Sequence, residues 1–477
     1  MTEIRITKTL GHLVFLVMLV YASVFFMERM NSDTSFFTFK ILSFEKFNIE
    51  AGRYSSFITQ IIPLALIKLH AGLKVVLIGY SVSFVIVFYS FFLLCMYAFS
   101  SLRAAIAASF VVFLGISDTS LYSGTEIHFG MMSAALFYGY LEYFLTKEKD
   151  FPTSKKVFFV FLGIIIILLC LFNHPSTLFP IVFILVFQAI DKKLLTSKSL
   201  YFLGFAVVVA YGLKYLSIDE NSYEGNTLAP FYNLFSILGN FTHTNSVHFF
   251  LKFVWKGIYV LPLLLFAITL SYYLLKKEFL KFAFALASTL GFFVLLMVIF
   301  SPGDSDLGME RNLIPLWFFI SVPFAHDVLF HEFRFPYMRP IIYSLVIIAG
   351  FSGFYRAAVL FGERSDYMRQ IIREAAEQTG SGKIIIEKKN LQMDKLITTW
   401  TFATETLLMS AMEGPQNAKT VYLVDNLEQL KDIDLTKTEM FLCVPFWIEW
   451  GYSSLNQRYF QLPSQPYGIV ETPIPMN

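Results

Sequence analysis

Charged residues are scarce in this chain: Asp, Glu, Lys and Arg together make up 15% of 477 residues. A water-soluble domain carries about 25%, so there is too little polar surface here to coat a soluble globule. The net charge of +2 supplies no field for nucleic acid, and the basic residues fall in short loops rather than in one patch. Nucleic-acid binding is therefore excluded. Cysteine is rarer still. Cys95 and Cys170 lie in apolar stretches and Cys443 in a strand-like run, which leaves no evident disulfide pair; they read as small buried residues. The sequence has no repeat, low-complexity tract or phosphate-cradling glycine loop. Gly380-Ser381-Gly382-Lys383 precedes a strand, whereas a P-loop lies between a strand and the helix it opens.

What the chain does have is apolar length: 56% of its residues are hydrophobic and 55 are Phe. Runs of membrane-spanning or slightly shorter length cover 10–27, 73–99, 104–116, 129–145, 157–172, 177–190, 200–216, 253–275, 282–300, 313–329 and 341–360, which predicts about eleven transmembrane helices. The loops between them alternate in character. Lys147, Lys149, Lys155 and Lys156, then Lys192, Lys193 and Lys198, then Lys276, Lys277 and Lys281, then Arg334 and Arg339 fall on one side. The other side holds acids, histidines and Asn. The positive-inside rule makes the Lys-rich side cytoplasmic, with the N-terminus in and the C-terminus out. The run 10–27 follows a basic stretch but precedes no small-x-small cleavage site, so it reads as a retained helix. The segment 61–69 is too short to span and reads as interfacial or re-entrant.

From about Phe361 the composition becomes that of a water-soluble domain. Residues 363–378 have helical spacing and stop at Gly380-Ser381-Gly382. Strands are predicted at 383–387, 420–424 and 440–444, with an amphipathic helix over 391–412. The expected fold class is mainly α: a polytopic helical bundle over 1–360, with a long first outer loop at 28–72, and a small extracytoplasmic α/β domain over 361–477.

The chemistry-bearing residues gather in the outer loops. Asp33 follows the first helix at the water–lipid boundary, where desolvation would raise its pKa and make it a better general base; equally, with Ser32 and Thr34 it caps a helix starting near Ser35. Glu50 and Arg53 stand either as a carboxylate with a bidentate phosphate-binding guanidinium or as a surface pair worth little. Asp118, Glu126 and His128 lie in a polar turn that is costly between apolar helices unless it lines water or a site, and two of them make a weak metal signal. His174, before Pro175, either donates to an anionic headgroup or caps the turn. The loop 217–245 carries Asp219, Glu220, Glu224 and His243, with His248 just beyond, and reads as a lid. In the loop 301–312, Asp304 and Asp306 precede Glu310 and Arg311, an arginine at a helix N-terminus that an anion would complement. The aromatic segment 446–452 either stacks on sugar rings or docks on the bilayer surface.

This pattern resembles the GT-C superfamily of integral-membrane glycosyltransferases. The resemblance rests on many apolar helices, a long first outer loop with Asp33 soon after helix one, the re-entrant-like 61–69, the polar outer turns, Glu310-Arg311 before a late helix and the α/β tail. It spans the whole chain in architecture and only scattered residues in motif; Ser32 stands where some members have a second acid. The resemblance implies an inverting glycosyltransferase in a membrane, for a bacterium the inner one, with its last domain periplasmic. A polyprenyl-phosphate-linked sugar would be the donor, and a lipid, glycan or protein the acceptor. Asp33 would be the catalytic base; Glu50, Arg53, Asp118, Glu126, His128, His174, Glu310 and Arg311 would bind substrate; a divalent cation has a place in some such enzymes. A lipid-linked glycan transporter, or a non-catalytic assembly subunit, would share the polytopic pattern.

Overall fold

The computed structural model describes residues 2–121, 126–194, 197–216, 233–303, 305–331 and 337–475. Among them are sixteen α-helices and five short strands. The helices are α1 Thr2–Val24, α2 Asp33–Phe44, α3 Phe57–Lys68, α4 Leu73–Leu93, α5 Leu102–Phe113, α6 Glu126–Lys147, α7 Thr153–Leu171 and α8 Leu178–Asp191. They continue as α9 Lys198–Leu216, α10 Leu234–Gly239, α11 Asn245–Trp255, α12 Val260–Leu275, α13 Phe279–Ile299, α14 Asp306–Pro323, α15 Met338–Thr379 and α16 Phe402–Ala411.

Every predicted apolar run falls on a helix, but the helices are not alike. Six of them, Glu3–Val24, Leu73–Ala98, Thr153–Leu171, Lys198–Leu216, Phe279–Ile299 and Met338–Thr379, are long and apolar enough to cross a membrane; α11 and α12, bent by 92°, make a seventh if taken as one span. That is compatible with a multi-pass membrane protein. So is the exposure of large side chains such as Val20, Phe158, Phe161, Phe205 and Val208, which water would penalise. The remaining runs differ for physical reasons. Twelve residues of α5 rise only about 18 Å, short of a hydrocarbon core of about 30 Å. α6 is buried along almost its whole length, packed among α4, α5, α7, α8 and α14, and so serves as the centre of the bundle.

The segment 28–72 folds rather than dangles. It forms α2 and α3, the latter lying against α4. Phe36, Phe39, Ile41 and Leu42 of α2 bury into one core with Phe441, Leu442, Trp450 and Phe460 of the C-terminal region. The compositional change near residue 361 falls inside α15, a single 42-residue helix that runs from the bundle into the C-terminal domain and ends at Gly380, whose φ of 63° is the left-handed cap glycine tolerates.

Strands β1 Lys383–Glu387, β2 Thr420–Val424 and β3 Met440–Val444 occupy the predicted positions, joined by β4 Trp447–Gly451 and β5 Gly468–Val470. β1 lies between β2 and β5, parallel to both, and β3 pairs antiparallel with β4. The Ile-Ile-Ile centre of β1 is buried on both faces, as a central parallel strand requires. The helix predicted over 391–412 is shorter, confined to α16. Its first half is irregular because Ile397 takes φ 59° and the carbonyls of Leu396 and Thr398 turn to Arg364. The aromatic segment 446–452 builds β4: Trp450 packs on Phe39 and Phe44, and Phe446 on Phe36 and Trp400.

Candidate functional site

Two arginine–carboxylate pairs meet at the end of the bundle that carries the C-terminal domain. Arg311, the sixth residue of α14, places Nη1 3.4 Å from Oδ2 of Asp33, the first residue of α2. Arg53, ahead of the short turn Tyr54–Ser56, places Nη1 3.1 Å from Oε1 of Glu126, the first residue of α6. Both carboxylates therefore sit at helix N-termini, where the macrodipole favours an anion. Arg311 does not stand at a helix start as the sequence suggested, because α14 begins five residues earlier at Asp306; its partner is Asp33. Asn173 donates its amide to the Glu126 carbonyl, fixing the start of α6 against the turn before α8. Ser32, not Asp33, occupies the cap position of α2, and its side chain makes no capping hydrogen bond.

His174 lies within electrostatic reach of both arginines. Its Nδ1 accepts from the Ser176 backbone N–H at 3.2 Å, which makes it the cap of the turn Pro175–Thr177. Burial, helped by the positive charges of Arg53, Lys214 and Arg311, pushes its pKa well below the usual imidazole value, so the ring is neutral at pH 7. Lys214 is 3% exposed near the end of α9 and donates to the Leu171 carbonyl at 2.8 Å. Between α8 and α9 runs a groove of about 930 Å³ lined by apolar side chains, among them Leu178, Val182, Phe205, Val208 and Tyr215. Leu178 and Tyr215 mark the end of that groove nearest His174 and Lys214 in the chain; Ala189 and Leu200 mark the other.

The other predicted residues stand apart from this cluster. Glu50 pairs with Lys40 of α2 rather than with Arg53. Glu310 is fully buried and accepts the backbone N–H groups of Ser117, Asp118 and Thr119 at 2.6, 3.2 and 3.1 Å, plus the Thr119 hydroxyl at 2.6 Å. Its carboxylate is thus a clamp on the turn after α5. Burial and the neighbouring charge of Asp118 push its pKa up to about 7, against the pull of those four donors. Burial likewise raises the pKa of Asp118, which meets the Ser117 hydroxyl at 3.2 Å. His128 is buried, and burial with the charge of Arg29 pushes its pKa down to about 3. Arg29 itself donates to Ser81 Oγ at 2.8 Å and to the Ser120 carbonyl at 2.7 Å. His243 and His248 are exposed. Asp219, Glu220, Glu224 and Asp304 lie outside the described residues, as does the segment 122–125.

Sequence reading missed Lys214, whose only signal is one lysine near the end of the run 200–216. It also missed a polar cluster at the opposite end of the bundle. There Lys281 Nζ lies 2.6 Å from Asp191 Oδ1 and 3.1 Å from Asp327 Oδ1, His326 Nε2 lies 3.1 Å from Asp191 Oδ2, and the Tyr273 hydroxyl donates to Asp327 at 2.7 Å. His326 and Asp327 belong to a π-turn, Phe324–Val328; π-turns often mark functional or strained positions. The signal was a His-Asp pair inside an apolar run.

Among the described residues, Asp191, His326 and Asp327 are the one grouping with three potential metal-ligand atoms in mutual reach, and the Lys281 ammonium supplies its positive charge. At the domain end, Asp33 and Glu126 are each bridged to an arginine and no third ligand joins them in the described residues. No family model matches this chain, and none of the curated proteins matches it.

Proposed function

We propose that the chain is a GT-C-type membrane glycosyltransferase, moving a sugar from a polyprenyl-phosphate-linked donor to an acceptor hydroxyl at the extracytoplasmic face. In this reading the eleven apolar helices all cross or enter the bilayer, the N-terminus lies inside, and the domain end of the bundle, with the C-terminal domain, faces out. One observation carries it: the Asp33–Arg311 and Arg53–Glu126 ion pairs lie at the end of the bundle that carries the C-terminal domain, near one end of an apolar groove between α8 and α9. A carboxylate, a set of cations and a greasy channel are what this reaction needs from its enzyme.

The chemistry follows from the groups. Asp33 takes the proton from the acceptor hydroxyl, whose oxygen attacks the anomeric carbon from the face opposite the leaving group. The bond from that carbon to the lipid-phosphate oxygen breaks, and the electron pair leaves on the phosphate. Arg53, Arg311 and Lys214 stabilise that charge, the arginines through forked N–H donors suited to phosphate oxygens. Neutral His174 positions these groups through the turn it caps. The prenyl chain lies in the α8–α9 groove. Purified protein given a lipid-linked sugar and an acceptor tests this directly. Asp33→Asn should lose transfer by about 100-fold or more with expression and folding intact; unchanged transfer would refute the base assignment.

The buried cluster of Lys281, Asp191, His326 and Asp327 favours a second reading, a transporter of a lipid-linked glycan, since ionisable groups inside a helical bundle often line a translocation path. Turnover in detergent separates the two, because a transporter has no reaction to perform without two compartments.

A further inference from the structure

The residue before Asp33 is strained, and the C-terminal domain holds it there. Ser32 has φ 50° and ψ −134°, a conformation that side-chain-bearing residues seldom adopt and that persists only when surrounding contacts impose it. Those contacts come from across the molecule. The Ser32 backbone N–H donates to Glu405 Oε1 at 3.1 Å, and the Ser32 hydroxyl accepts from Trp400 Nε1 at 3.0 Å. One turn on, the Ser35 and Thr404 hydroxyls meet at 3.2 Å. Glu405 is itself fixed: it is 1% exposed, Arg364 lies 2.6 Å from its second oxygen, and the Thr401 hydroxyl donates to it at 2.7 Å. The Trp400 ring lies against Phe36 and Phe446. A buried anion held by a buried cation thus spends one acceptor position on a backbone N–H more than 370 residues away in sequence.

We infer that Glu405 and Trp400 are positioning residues for the base: they lock Ser32 in its left-handed conformation, and that lock sets where the next residue, Asp33, meets Arg311. The inference rests on the glycosyltransferase reading for what Asp33 does, and on geometry alone for how Asp33 is held. It gives the C-terminal domain a role in the chemistry without any of its side chains touching substrate. A glycine at position 32 would adopt the same backbone unaided, whereas serine needs the clamp.

The test is a rescue. Glu405→Gln replaces the charged acceptor, and Trp400→Phe removes the indole N–H and part of the ring while keeping an aromatic side chain at the position. Each should lower kcat on the order of 10- to 100-fold, the scale of a small misplacement of a reacting group, with the KM for lipid-linked donor little changed. Adding Ser32→Gly should restore most of the lost turnover in both backgrounds, while Ser32→Gly alone stays within a few-fold of the natural protein. A merely structural role for Glu405 would not be rescued at position 32, so failure of the rescue overturns the inference. Hydrogen exchange of the amides around residues 32–35 gives a readout without activity: it should quicken in Glu405→Gln. If exchange behaves so while Asp33→Asn still transfers sugar, the clamp stands and the assignment of Asp33 falls. If exchange is unaltered by Glu405→Gln, the clamp falls whatever the activity shows.

Discussion

Arg364 and Glu405 lie 2.6 Å apart, 3% and 1% exposed, and Arg364 belongs to the helix that runs unbroken from the bundle into the C-terminal domain. The pair ties that helix to α16, and through Ser32 to the start of α2. Arg364→Met would strand the Glu405 charge in the interior and free the carbonyls of Leu396 and Thr398. An uncompensated buried charge costs about 3–5 kcal/mol. Denaturant unfolding of purified protein should show a loss of that order, together with loosened packing of the C-terminal domain.

Glu310 gives the protein a pH signature. Its carboxyl is held near 7 in the fold by burial and by Asp118, against an ordinary value of 4.5. A carboxyl raised on folding adds stability that is fully present below about pH 4.5 and lost as pH rises through about 7. Glu310→Gln does not titrate, so thermal unfolding of that variant should be flatter across this window. Above about pH 7 it should also be less stable, because there an amide NH₂ faces N–H donors that the carboxylate oxygens accept.

The turn that Glu310 clamps is sensitive from its other side. A Cβ on Gly353 of α15 would stand 2.4 Å from the Ile116 carbonyl oxygen and 3.3 Å from Ser117 Cα. Backbone, unlike a side-chain tip, has little room to give. Gly353→Ala should destabilise the protein by about 1–3 kcal/mol, the range for overpacking, and slow exchange protection at Thr119 should be lost.

The α8–α9 groove is open to a milder probe. A Cβ on Gly204 meets nothing within 4 Å, so a side chain can start from this groove-lining position, and Gly204→Phe is the probe. With a long-chain lipid-linked donor, KM should rise while kcat changes little; with a short-chain, water-soluble donor analogue neither should move. Equal effects on both donors would remove the groove from the substrate's path.

The parts of this fold set by local pattern were legible in the sequence. Three strands begin and end where β-branched and apolar runs do, and each apolar run is helical. What local pattern does not carry is which faces meet lipid and which meet protein. α6 reads like a span, yet protein surrounds it. The same limit governs the site. The polar turns drew attention to Asp33, Glu50, Arg53, Asp118, Glu126, His128, His174, Glu310 and Arg311 together, since charge between apolar helices needs a reason; the structure pairs Asp33 with Arg311 and Arg53 with Glu126. Their pairing did not follow, because Asp33 and Arg311 are 278 residues apart and Glu50 turned to Lys40 instead of its near neighbour Arg53. Glu310 looked like a ligand because a buried carboxylate serving a turn 190 residues earlier leaves no trace in its own segment. The first half of the helix predicted over 391–412 is lost for a similar cause: Arg364 claims two carbonyls that helical hydrogen bonding would have used.

The central claim is that Asp33, held between Ser32 and Arg311, is the base of a sugar transfer from a lipid phosphate. The most direct measurement is single-turnover transfer from a polyprenyl-phosphate-linked sugar by purified protein, natural against Asp33→Asn, at saturating donor. The account predicts transfer by the natural protein and its near-complete loss in the variant with donor binding retained; no transfer by a folded, donor-binding natural protein, or equal rates in the two, would contradict it.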